Sequence, residues 1–154
     1  MFNNSDNELP SAFFVTGTDT GVGKTVISAI LMAGLDAAYW KPVQSGLDEE
    51  TDTDFVRRVT GLCGKRFFDE TWRLTQPLSP HASAAIDGLE IRLSDFRLPE
   101  TVFSHLIVEG AGGLMVPLND SDFMIDLIRH LDLPVLLVAR SGLGTINHTL
   151  LSLK

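Results

Sequence analysis

The sequence has a single cysteine, Cys63, among 154 residues, so no disulfide can form within the chain. A lone thiol is typical of proteins kept in a reducing compartment. No apolar run approaches the roughly 20 residues that span a bilayer. Residues 1–7 also lack the basic and apolar regions of a secretory signal. These absences predict a cytoplasmic protein without a membrane partner.

Basic residues are scarce as well. The chain has 12 Lys and Arg against 20 Asp and Glu, which gives a formal net charge of -8 and an isoelectric point near 4.8. Such a surface repels polyanions, which excludes nucleic acids and anionic membranes as expected partners. A small phosphorylated ligand is still compatible with this charge, because a few well-placed donors outweigh the overall field.

Short apolar segments alternate with helical ones along the chain. The pattern predicts strands at residues 12–16, 37–41, 106–108 and 134–139, and helices at 25–35, 52–60, 123–131 and 145–154. Residues 61–99 give no clear pattern. In the first helix we expect one apolar face, made of Val26, Ile27, Ile30 and Leu31. Strands that are apolar throughout favour a parallel sheet covered by helices on both faces, an α/β doubly wound domain. We expect it to occupy residues 12–154, after a flexible polar segment at residues 1–11.

A glycine-rich segment, GTDTGVGKT at residues 17–25, lies between the first predicted strand and the first predicted helix. This is the context of a phosphate-binding loop. We expect backbone N–H groups at Gly21 and Gly23 to face phosphate oxygens, Lys24 to reach the β- and γ-phosphates, and Thr25 to bind Mg²⁺. The loop has five residues, where the usual one has four, between its first glycine and the Gly-Lys pair. The alternative is an accidental turn that caps a helix.

Carboxylates follow two of the predicted elements. Glu109 comes directly after the strand at 106–108, where it would face a magnesium ion or simply leave the strand for solvent. Asp54 would supply a second carboxylate, and Asp52 lies two residues before it. An acidic helix start explains both aspartates equally well.

Other polar residues stand at the same edge of the predicted sheet, where open sheets of this kind bind ligands. Lys41 ends a buried strand and would point into the crevice, or would be a solvated lysine. Ser45 would contact a substrate or belong to a turn. Residues 144–147 begin a helix whose free N–H groups would hold an anion, although capping by Thr145 explains them too. No Ser-His-Asp or zinc-spaced Cys/His arrangement is present.

Five segments, taken in order, resemble one family, the dethiobiotin synthetases. They are FVTGTDTGVGKT at residues 14–25, KPVQSG at 41–46, SPHAS at 79–83, VEGAGG at 108–113 and GTINH at 144–148. The first shares the extra loop residue with the family. The resemblance covers nearly the whole chain, from Phe13 to Leu153, and implies a P-loop NTPase-like fold.

The resemblance implies a specific reaction. The family carboxylates 7,8-diaminononanoate with CO₂ and uses ATP, with Mg²⁺, to close the cyclic urea of dethiobiotin through a carbamate and a carbamic-phosphoric anhydride. It implies ATP-binding roles for Gly21, Val22, Gly23, Lys24, Thr25, Val26, Asp54, Glu109, Gly110, Ala111 and Gly112. It implies catalytic roles for Thr20, Lys24 and Lys41, magnesium ligation by Thr25, Asp54 and Glu109, and substrate contacts from Ser45, Gly144, Thr145, Ile146 and Asn147. The family is a homodimer, and the last four residues would bind the substrate carboxylate across its interface.

Two features depart from the family. The stretch between Lys24 and Lys41 is short, and the family's adenine-binding segment would lie beyond Lys154, so we expect the domain to be incomplete at its C-terminus and to discriminate bases poorly. The rival interpretations are a dimeric partitioning-type ATPase switch, a cobyrinate-type amide synthetase domain and an inactive binding fold. The switch proteins carry a lysine where this loop has Asp19, which counts against them.

Overall fold

A five-stranded parallel sheet forms the centre of the structure, a computed structural model that describes residues 9–154. The strands lie in the order β4 (Phe67–Phe68), β2 (Ala37–Trp40), β6 (His105–Gly113), β1 (Ala12–Gly17) and β7 (Val135–Val138). All four predicted strands are present, and the predicted parallel sheet is confirmed. Of the predicted flexible segment, residues 1–8 lie outside the described part, whereas the carbonyl of Ser11 accepts a hydrogen bond from the N–H of Leu106.

The four predicted helices are present within one or two residues of their expected bounds. They are α1 (Lys24–Gly34), α2 (Asp52–Thr60), α4 (Met124–Leu131) and α5 (Thr145–Ser152). The segment without a clear pattern contains β4, β5 (Trp72–Leu74) and α3 (Pro80–Ile86). The short strand β3 (Val43–Ser45) pairs with β5 in a separate two-stranded parallel sheet. Among the described residues, no helix has the length and apolar character needed to cross a membrane.

Alternate residues of the central strands supply two hydrophobic cores. Phe13 and Val15 pack with α1 and α2 on one face, and Phe14 packs with α3 and α4 on the other. Successive side chains of a strand point to opposite faces, so strands that are apolar at every position serve both layers. The expectation of helices on both faces is confirmed.

The buried face of α1 differs from the predicted one. Val26 and Ile30 are 50% and 61% exposed, whereas Ser28, Ala29 and Met32 are buried. Ile27 and Leu31 pack only partly against the core. The prediction was wrong for Val26 and Ile30 because α1 turns the face that carries Ser28, Ala29 and Met32 toward the core.

Strand β6 is longer than the predicted one and continues through its glycines. Val15 pairs with Glu109 and Gly17 pairs with Gly113, so β6 bulges relative to β1 between these pairs. Gly112 has a φ of 67°, which favours glycine. A Cβ on Gly110 would lie 2.6 Å from Phe14 Cε1. These glycines therefore let β6 pass close to β1 and reach the phosphate loop.

We expect Gly110→Ala to lower the free energy of unfolding by about 1–3 kcal/mol, the usual cost of overpacking a core. Gly34→Ala on α1 is the control, because a Cβ there meets nothing within 4 Å and alanine favours a helix. Urea unfolding of both variants measures the effect. Equal midpoints for Gly110→Ala and the unsubstituted protein would contradict the close approach of β6 to Phe14.

Candidate active site

The phosphate loop, residues 17–25, connects β1 to α1. Gly21 and Gly23 have φ values of 70° and 106°, in the left-handed region that glycine adopts without strain. No described side chain caps the start of α1. The first N–H groups of this helix are therefore available to an anion, and the helix dipole adds to their attraction.

Lys24 begins α1 and is folded back along the loop. Its Nζ donates to the carbonyl of Asp19 at 3.1 Å. The residue is only 7% exposed, although it was expected to be exposed to the phosphate site. Burial, followed by the charge of Lys41, lowers the pKa of Lys24, and nearby carboxylates oppose this shift. The ammonium group lines the cleft and needs only to leave a backbone carbonyl to reach a phosphate.

The Asp19 carboxylate anchors the opposite side of the loop. It accepts a hydrogen bond from the N–H of Thr20 at 2.7 Å and another from Arg140, just beyond β7, at 3.2 Å. This position, where the switch ATPases carry a lysine, is here a carboxylate held by a neighbouring arginine.

Three oxygen-bearing side chains converge at the start of α1. Thr25 Oγ1 donates to Glu109 Oε1 at 2.8 Å, and Asp52 Oδ1 lies 3.0 Å from the same hydroxyl oxygen. They come from α1, the first residue of α2, and β6. We call these residues the Thr25–Asp52–Glu109 cluster. Their hydroxyl and carboxylate oxygens are the kind of ligand that Mg²⁺ prefers.

Lys41 bridges the two carboxylates of this cluster from the end of β2. Its Nζ forms an ion pair with Asp52 Oδ2, lies 3.4 Å from Glu109 Oε1, and is 3.5 Å from the carbonyl of Gly110. The side chain is 4% exposed. Burial alone would lower the pKa of Lys41, but Glu109 and Asp52 outweigh it, and the pKa is raised. The ammonium group therefore stays charged inside the cleft, as the sequence interpretation of Lys41 requires.

The position of Asp54 contradicts its predicted place at this cluster, which Asp52 occupies instead. The Asp54 side chain is 54% exposed and bonds Thr51 and Arg57 at the surface of α2. Burial alone would raise the pKa of Asp52, but the charge of Lys41 and the hydrogen bonds from Lys41 and Thr25 outweigh it, so the pKa lies below its ordinary value. The helical pattern held the signal: Asp52 lies four residues before the buried Val56, on the same face, whereas Asp54 lies two residues before it.

A cleft of about 850 Å³ opens above the phosphate loop and the cluster. It brings together most of the predicted residues, namely Thr20, Gly21, Gly23, Lys24, Thr25, Val26, Lys41, Ser45, Ala111 and Gly112. Glu109 lies buried beneath them, Val22 packs against Gly17 within the loop, and Gly110 packs against Phe14 and Met124. The hydroxyl of Ser45 is buried, and no described group bonds to it. Ser79 and Pro80, from the SPHAS segment, form part of the cleft wall.

Gly144, Thr145, Ile146 and Asn147 do not line this cleft. They begin α5, where Gly144 has a φ of 93° and no described side chain caps the helix. Ile146 is 75% exposed. The structure therefore presents this helix start outward, away from the site of its own chain.

Sequence reasoning missed two further polar contacts of the site. Gln44 accepts the N–H of Asp52 at 3.2 Å through its side-chain carbonyl, which fixes the start of α2. Tyr39 Oη donates to Glu109 Oε2 at 3.0 Å. Burial, followed by the charge of Glu109, raises the pKa of Tyr39 well above its ordinary value, so the phenol stays a donor. Tyr39 sits within an apolar run that indicated only a buried strand.

Comparison with known proteins identifies the family. Residues 11–154 match a family model described as an AAA domain. The ATP-dependent dethiobiotin synthetase BioD of Brucella ovis is 56% identical over 146 residues, which are 95% of this chain and 68% of the relative. The proteins of the same name from Brucella canis and Brucella abortus (strain S19) are 56% and 55% identical over the same shares. The resemblance seen in the motifs is confirmed, and the chain belongs to the dethiobiotin synthetase family.

Proposed function

We propose that this protein catalyses the ATP-dependent carboxylation and ring closure of 7,8-diaminononanoate with CO₂ to give dethiobiotin, a step of biotin synthesis. One observation carries the proposal: a phosphate loop meets a buried lysine and two carboxylates in a single cleft. An ATP phosphate and an anionic substrate would both find positive groups there. Family membership supplies the reaction.

The proposed reaction has three steps. One amine of the diamine takes up CO₂, loses a proton and becomes a carbamate. A carbamate oxygen then attacks the γ-phosphorus of ATP, so that ADP leaves and a carbamic-phosphoric anhydride forms. The second amine attacks the carbamoyl carbon, closes the five-membered urea and expels phosphate, and the ring nitrogen loses its proton. The ATP is a co-substrate and is consumed.

Two lysines would stabilise most of the negative charge of the phosphates and the carbamate. Lys24, beside the loop N–H groups, would hold the β- and γ-phosphates. Lys41 would neutralise the carbamate and the charge that develops on the transferring phosphoryl group. Phosphoryl transfer depends mainly on such positioning and charge stabilisation. Thr20 lines the cleft beside the loop and would contact the transferring group.

The residues present fit magnesium. The Thr25–Asp52–Glu109 cluster offers one hydroxyl and two carboxylates, which suits an ion that takes its remaining ligands from water and substrate phosphates. Within residues 9–154, no group of three or more His, Cys, Asp and Glu side chains forms a complete metal cage. Bound Mg²⁺ supplies charge neutralisation of the phosphates. We propose Thr25, Asp52 and Glu109 as its protein ligands, with Asp52 in the role first given to Asp54.

We further propose that the diamine binds near Ser45 and that two copies of the chain form a homodimer. The unpartnered hydroxyl of Ser45 supports the first point. The outward-facing start of α5 supports the second, together with the exposed side chains of Ile146, Leu150 and Leu151 on that helix. In such a dimer Gly144–Asn147 would bind the substrate carboxylate in the partner's cleft.

The cytoplasm is the proposed compartment, because Cys63 is a free thiol.

The direct test is to incubate the purified protein with MgATP, the diamine and ¹³C-labelled bicarbonate, and to analyse the products by mass spectrometry. Dethiobiotin carrying the label is the expected product. Release of phosphate that does not depend on the diamine, without labelled dethiobiotin, would overturn the proposal in favour of an ATPase switch.

We expect Lys24→Ala to abolish productive ATP binding while leaving the fold intact. Lys24 is a buried cation with a lowered pKa, so its removal relieves desolvation rather than breaking an ion pair. Calorimetric titration with MgATP measures the affinity, and thermal unfolding checks the fold. Lys65→Ala, on an exposed 3₁₀ helix, is the matched control. Unchanged affinity and turnover in Lys24→Ala would refute the phosphate-loop assignment.

A further inference from the structure

Strand β2 and the residue that follows it contact both oxygens of Glu109. Lys41, directly after the strand, lies 3.4 Å from Oε1, and Tyr39, within it, donates to Oε2 at 3.0 Å. The two side chains reach the same carboxylate from positions two residues apart. This short segment thus holds both oxygens of a carboxylate on the neighbouring strand β6.

Glu109 has few other ways to satisfy its second oxygen. The residue is 0% exposed, and so is Tyr39. Oε1 already accepts from Thr25 at 2.8 Å, whereas the phenol is the described donor to Oε2. A buried carboxylate oxygen without a donor costs free energy, so loss of the phenol would leave the carboxylate free to rotate away from Thr25.

The Tyr39 ring is itself fixed in position. It packs within the core between β2 and α1, with its centroid 6.1 Å from that of Phe67. The ring therefore gives the hydroxyl a defined location, and packing and hydrogen bonding are separable: phenylalanine fills the same space without the donor.

We infer that Tyr39 is a positioning residue that orients Glu109, so that Oε1 alone is presented to Thr25, Lys41 and the metal. This inference rests on the proposed function, in which Glu109 is a magnesium ligand. Residues that orient a metal ligand typically change metal affinity by about 10–100-fold when they are replaced.

The test compares binding of Mn²⁺, in the presence of ADP, to the unsubstituted protein, Tyr39→Phe and Phe67→Leu, measured by electron paramagnetic resonance of the free ion. We expect Tyr39→Phe to weaken Mn²⁺ binding by about 10–100-fold. Phe67→Leu disturbs the same core without touching the hydrogen bond and should leave Mn²⁺ binding unchanged. Equal effects of the two variants, or no effect of Tyr39→Phe, would overturn the inference.

A second measurement uses the unsubstituted sequence. Tyr39 is the only tyrosine in the chain, so 3-fluorotyrosine labelling gives a single ¹⁹F resonance from this ring. Adding Mg²⁺ with ADP should shift that resonance, with a midpoint equal to the metal affinity. A resonance indifferent to the metal would contradict the role. Because neither readout involves turnover, failure to make dethiobiotin would overturn the proposed function and leave this inference standing.

Discussion

Replacing Lys41 by alanine is expected to slow dethiobiotin formation by roughly 10²–10³-fold, the usual effect of removing one donor that stabilises transition-state charge. Lys41 is buried at the junction of Asp52 and Glu109 and keeps its charge. It faces the cleft where the carbamate and the γ-phosphate would meet. The affinity for ATP should fall much less, because Lys24 and the loop N–H groups remain.

Single-turnover kinetics with saturating MgATP measure this effect, and Lys65→Ala provides the control. Removing the ammonium group also leaves Glu109 without its cationic neighbour, so assays are run well below the unfolding midpoint of the variant. Near-normal turnover in Lys41→Ala would contradict the catalytic role and would show that Lys41 only compensates the charges of Asp52 and Glu109.

A second large effect is expected from Asp52→Asn, with Asp54→Asn as its matched control. Asp52 contacts both Thr25 and Lys41 and is a proposed metal ligand. Its neutralisation should therefore lower the affinity for Mg²⁺ and the turnover by at least the roughly 10–100-fold that follows loss of a group that only orients a ligand. Asp54 is exposed at the start of α2, so its replacement should cost only about 0.3–1 kcal/mol of stability through the helix dipole. Each variant replaces one carboxylate by an amide, and the two positions are two residues apart.

Turnover measured over a range of magnesium concentrations separates the variants. Asp52→Asn should need more metal to reach its maximal rate, whereas Asp54→Asn should follow the unsubstituted curve. If instead Asp54→Asn needed more magnesium and Asp52→Asn did not, Asp54 would again be the proposed metal ligand. That result would show that α2 begins differently when ligands bind.

Much of the fold could be predicted because its signals are local. The strands are largely apolar on both faces, as expected for a sheet covered by helices on both sides, and the glycine-rich loop is bounded by a strand and a helix. Lys24, Thr25 and Lys41 could be placed for the same reason, since the first two follow the glycine-rich loop at the start of α1 and Lys41 directly follows β2.

The remaining details depend on contacts between distant segments. Asp54 was preferred over Asp52 because an apolar residue, Phe55, follows it, whereas the outcome depends on which face of α2 packs against α1. The exposure of Val26 and Ile30 depends on which face of α1 packs against the core. The hydrogen bond of Tyr39 depends on the register between β2 and β6, in which Tyr39 pairs with Ile107. Composition and periodicity do not encode that register.

The position of β6 between β1 and β2 has a consequence for how the chain folds. The two strands that come first in sequence are not neighbours, since residues 105–113 must be inserted between them. Glu109 meets Thr25 and Lys41 across 84 and 68 residues of chain, and closing such loops costs entropy before any contact repays it. A nascent chain that has not yet emerged to residue 113 therefore lacks both the strand that joins β1 to β2 and the carboxylate of the proposed metal site. Insertion of β6 supplies both.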